Sequence, residues 1–168
     1  VMDLETSGGM PMAPHQLAFT HTKQMHLMVI DPSLEDYHHL HPVPDGTGGQ
    51  YRFSFTPEQG GDYRFFTEVV PMVTRRQLIA SSEASVTGPS HAPVFTEPTY
   101  AWVTDGMRFK IEGLPDTLET GRDYRLQLRV TTLDGAPAPL EEVMGAYAHM
   151  VAFDDALRGF AHMHPEAS

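Results

Sequence analysis

The feature that most restricts how this chain can fold is a segment of twenty residues that occurs twice. KQMHLMVIDPSLEDYHHLHP (23–42) aligns without a gap on AYAHMVAFDDALRGFAHMHP (146–165). The match pairs His26 with His149, Asp31 with Asp154, Leu34 with Leu157, Tyr37 with Phe160, His39 with His162, His41 with His164 and Pro42 with Pro165. A gap-free repeat keeps every spacing, and spacing decides which side of a strand a residue occupies. The repeat reads as a duplicated ancestral unit that kept the same three histidines, in a chain with only ten.

Each copy reads as a β-hairpin, with strands at about 24–30 and 37–42 in the first. Alternation puts Met25, Leu27 and Val29 on one face, the natural core face, and His26, Met28 and Ile30 on the other. On the return strand Tyr37, His39 and His41 share a face, so burying Leu40 turns both histidines to the side of His26. A hairpin folded about Ser33–Leu34 sets His26 opposite His41 and Met28 opposite His39. Directly opposed β-carbons stand roughly 4.5–5.5 Å apart, close enough for imidazoles to share an ion. The second copy follows the same parity, with Met150, Ala152 and Met163 expected inward and His149, His162 and His164 on the other, exposed face.

Three neutral imidazoles suit Zn(II) or Cu(II), and neighbouring thioethers favour Cu(I). The chain has ten Met and no Cys, so a copper site here would have to use His and Met. Met25, Met28, Met150 and Met163 all lie inside the hairpins. The expected metal ligands are therefore His26, His39, His41, His149, His162 and His164, with Met28, and the expected ion is copper, with zinc as the alternative. A lone His or an inward Met is ordinarily a packing residue, and His15, His21, His38 and His91 are read that way. Glu35, Asp36 and Tyr37 adjoin the histidines but have no placement that makes them a general base. Phosphate-binding glycine loops, a nucleophile elbow and HExxH are absent. A metal-free structural or protein-interaction module and a mononuclear metalloenzyme are the alternatives to a metal-binding protein.

Apolar runs elsewhere are also short, turn-bounded and rich in β-branched or aromatic residues, so the expected fold is all-β, as two tandem or interlocked β-sandwich units. Residues 1–14 read as a polar arm, 15–88 as the first unit, 89–98 as a linker and 99–168 as the second unit, with a short helical turn at 137–145. A net charge of −11 repels phosphate backbones and anionic lipid surfaces, so nucleic acid and membranes are poor partners. No apolar run approaches a membrane span, and the opening Val-Met-Asp-Leu-Glu lacks the basic and apolar regions of a signal peptide.

MHLMVIDPSLEDYHHLHP followed by GGQYRFSFTPEQGGDYRFF, with DGAPAPLEEVMGAYAHMVAF and FAHMHP in the second half, resembles a group of bacterial exported proteins. These have cupredoxin-like or immunoglobulin-like sandwiches and are associated with heavy-metal and copper handling. The likeness covers most of residues 15–165. It implies an exported sandwich protein, periplasmic or secreted, with a copper-handling protein as a partner, and it assigns no ligands.

Overall fold

A computed structural model describes residues 1–91 and 99–166. The fold is all-β: apart from one 3-10 turn at Pro14–Gln16, every regular element among the described residues is a strand. In chain order these are β1 (Met2–Asp3), β2 (Met25–Ile30), β3 (Tyr37–Leu40), β4 (Val43–Pro44), β5 (Gln50–Arg52), β6 (Gly61–Val69), β7 (Leu78–Val86), β8 (Ala101–Thr104), β9 (Met107–Glu112), β10 (Gln127–Thr132), β11 (Met150–Phe153) and β12 (Phe160–Met163). Every pairing between them is antiparallel. None of the described residues forms a helix long and apolar enough to cross a membrane.

The chain divides into two compact units, but not at the expected boundary. One unit combines Val1–Val94 with Glu142–Ser168, and the other is Phe95–Glu141. The second histidine hairpin therefore belongs with the first rather than with residues 99–141. Its apolar face explains why: an isolated two-stranded hairpin is marginal in water and needs a cover. Val151, Phe153, Leu157 and Phe160 find that cover against Met28, Ile30, Leu34 and Phe66. Most of the linker expected over 89–98, from Ala92 to Pro98, lies outside the described residues.

In the larger unit the main sheet runs β3-β2-β6-β7. All six residues of β2 are buried, so the expectation of one core face and one exposed histidine face is corrected: both faces are covered. Leu27 and Val29 pack with Tyr63, Leu40, Phe53, Phe55 and Phe65 on one side. On the other side lies the second hairpin, whose own outward residues are Ala152 and Ala161. Ala152 is thus outward, not inward as its parity had suggested, because Val151 and Phe153 supply more apolar area to the interface.

Residues 1–14 are not a free arm. Met2 and Asp3 pair with Tyr51 and Gln50, and buried Met12 packs with Leu17, Met25, Tyr51 and Val69. Tyr51 Oη donates to the Met12 carbonyl at 3.1 Å. Gly49 permits this return, since at φ +79° a β-carbon would meet Leu4 O and Met12 N at 2.9 Å. Leu17 makes a single bridge to Pro71, and the helical turn expected at 137–145 does not form.

The smaller unit is a three-stranded sheet ordered β10-β9-β8. Asp105 and Gly106, at φ +49° and +74°, close the β8–β9 hairpin in the two-residue geometry that matches strand twist. Trp102 stacks on Phe109 with centroids 5.5 Å apart.

Candidate metal centre

The two copies share one local design. Asp31 accepts hydrogen bonds from the backbone N–H groups of Ser33, Glu35 and Asp36. Asp154 likewise accepts from Arg158 and Gly159. Leu34 and Leu157 take the left-handed conformation, at φ +67° and +49°, and turn their side chains into the shared apolar cluster. The turns fix register: Met28 pairs with His39 and Ile30 with Tyr37, while Val151 pairs with His162 and Phe153 with Phe160. These are the pairings that alternation predicts, identical in both copies.

That register gathers the histidines into two triads. His26, His39 and His41 offer nitrogen atoms all within 4.8 Å of one another, and so do His149, His162 and His164. Backbone carbonyls set the tautomers of one residue in each. His26 Nε2 lies 3.0 Å from Thr20 O, and His149 Nε2 lies 2.8 Å from Val143 O. A carbonyl only accepts, so Nε2 carries the hydrogen and Nδ1 presents its lone pair. His26 Nδ1 faces His39 Nε2 at 3.1 Å, and His149 Nδ1 faces His164 Nε2 at 2.8 Å. Two nitrogens bound at about 2.0–2.1 Å to one ion stand roughly 3 Å apart, so these spacings fit coordination.

Four of the imidazoles, His26, His39, His41 and His164, are held neutral. Burial lowers His26 below its ordinary value. Burial, followed by the neighbouring His41, pushes His39 down to about 3. His41 and His164 fall to about 4 from burial first, then from the adjacent His26 and His21. Meanwhile His41 Nε2 and His162 Nε2 are buried with no hydrogen-bond partner among the described residues. An orphaned buried polar atom costs about 1–3 kcal/mol, and two of them, one in each triad, are what ligands built for a cation would show.

A family model described as a domain of unknown function, DUF8832, matches residues 2–86 and 102–168. The chain belongs to this family. No curated protein and no solved structure matches it. The matched stretches of this DUF8832 chain include both hairpins.

All six expected histidines of the DUF8832 protein are brought together, but Met28 is not a neighbour of the same kind. It is the register partner of His39 and is fully buried against Ile30, Phe66 and Leu157. His38 and His91 stand apart, on Asp36 at 2.7 Å and Gln59 at 2.6 Å.

Two participants escape the repeat. Glu68, only 6% exposed, is the register partner of His26 on β6 and sits 3.3 Å from His162 Nδ1. The signal was a single acid inside the apolar run YRFFTEVV, on the same parity as Phe66. His21, read as an ordinary residue, stacks on His164 with centroids 3.7 Å apart. It stands beside Thr20, whose carbonyl sets His26, in a turn where His21 and Thr22 both have positive φ.

Proposed function

We propose that this DUF8832 protein binds transition-metal ions through its two three-histidine sets, copper first and zinc as the alternative, for storage, buffering or delivery. The carrying observation is the pair of triads, each with three imidazole donor atoms within 4.8 Å. Copper is favoured over zinc by the methionines inside the hairpins and by a cysteine-free chain, which leaves imidazole and thioether as the available softer ligands. A net charge of −11 favours the approach of cations over polyanions. A periplasmic or extracellular setting, with a copper-handling protein as the exchange partner, fits this reading.

The test is titration of chelator-treated protein with Cu(I), Cu(II) and Zn(II) against competing chelators. The protein in which His39, His41, His162 and His164 are all replaced by Ala is titrated in parallel. Tight uptake by the native chain, lost in the variant, with copper held more strongly than zinc, is the expected result. Equal uptake by both proteins would sink the assignment.

A further inference from the structure

The triads are not two remote sites. Within them, ring centroids are 4.8–5.4 Å apart in the first and 4.5–5.9 Å in the second. Between them, His39 and His162 are 5.0 Å apart, and His26 and His162 are 5.4 Å apart. The boundary between the triads is thus no wider than the spacing inside each. With His21 on His164, seven of the chain's ten histidines form one continuous cluster.

We propose that this cluster is a single dinuclear centre, taking two copper ions per chain, one on each triad, close enough for the ions to interact. This rests on the metal-binding reading above. Six imidazoles exceed the three or four nitrogen ligands that one ion in such a site takes, and the donor atoms fall into two separate sets of three, so one shared ion would strand half of them. Two cations side by side repel, and Glu68 supplies the compensating negative charge from inside the protein. It lies beside His26 of the first triad in register and accepts from His162 Nδ1–H of the second, which leaves the unpartnered His162 Nε2 as the ligand atom. Glu68 is therefore a positioning residue that ties one triad to the other, in the manner of a carboxylate behind a ligating imidazole.

The experiment is Cu(II) titration of the full chain, followed by bound-metal analysis and electron paramagnetic resonance on the same samples. One equivalent should give an isolated Cu(II) signal. The second should be bound with loss or broadening of that signal, or a half-field transition, instead of a doubled intensity. His39→Ala with His41→Ala, and separately His162→Ala with His164→Ala, should each keep one ion and an isolated signal; either pair suffices if the other fails to fold. Glu68→Gln should weaken the second ion about tenfold or more and alter the coupled spectrum, with the first equivalent nearly unchanged. Two ions with additive, uncoupled signals would overturn the dinuclear centre, as would saturation at one ion, and in both cases metal binding itself would stand. No tight uptake would overturn both readings.

Discussion

Among the individual residues, burial rather than exposure governs what the histidines do. His26 is 0% exposed and bonds to both Thr20 O and His39. Replacing it with Ala removes packing and strands two polar partners, for an expected loss of about 2 kcal/mol or more in urea unfolding of the metal-free protein. His41→Ala loses ring packing on His26 and His39 but also relieves an unpartnered buried nitrogen, so its net cost should stay below about 1 kcal/mol. Equal losses from the two would mean that hydrogen bonding does not distinguish them. Acid should act through the same side chains. In the unfolded chain an imidazole takes up its proton near 6.5, whereas in the fold His39 does so at about 3 and His41 and His164 at about 4. Between these limits the unfolded chain binds more protons, so stability rises with pH. It is fully present above about pH 6.5 and is lost progressively as pH falls from there toward about 4, which melting of the metal-free protein across that window would reveal. Parity made the six histidines legible in the sequence, because a strand allows only two faces. Glu68 and His21 were not legible as site residues, since they reach the cluster through β-pairing and a turn outside the repeated segment.

Hairpins are the elements that carry the design. The repeat's conserved Asp, Leu and aromatic positions, which looked incidental beside the histidines, prove to be the turn cap, the plug and the interface. Both leucines enter the same apolar cluster, so each copy helps to bury the other. Leu157, 8% exposed, is the plug of the hairpin with fewer hydrogen-bonded neighbours. Leu157→Ala should cost about 2–3 kcal/mol and raise amide hydrogen exchange across 146–165 more than across β2 and β6. Uniform acceleration over the whole unit would show instead that the hairpin does not open on its own. Element type was readable from the sequence because apolar runs were short and turn-bounded. The second exposed face was misread, since alternation cannot tell a solvated face from one covered by a distant segment.

For the whole molecule, metal should stabilise the folded chain by mass action, about 2.7 kcal/mol when free ion exceeds its dissociation constant a hundredfold. Calorimetry with and without copper should show a rise in Tm that chelator reverses, and a Tm indifferent to the ion would contradict the site. The assignment of β11 and β12 to the first unit could not be read along the chain, because the residues that cover them, Met28, Ile30, Leu34 and Phe66, come far earlier, with the whole β8–β10 sheet in between. That separation also shapes the motion. Between the two hairpins lie β7, paired to β6, and the separate three-stranded sheet of β8–β10, so the second hairpin docks as a tethered segment. It is held by one apolar face, the Glu68–His162 contact and the ring contacts between the histidine sets. Elements held so narrowly are the first to lift away, and lifting this one uncovers both histidine sets to water at once. On the proposed metal-binding reading, the excursion that hydrogen exchange would register is also the expected route for an ion, so metal exchange and amide exchange across 146–165 should respond alike to Leu157→Ala.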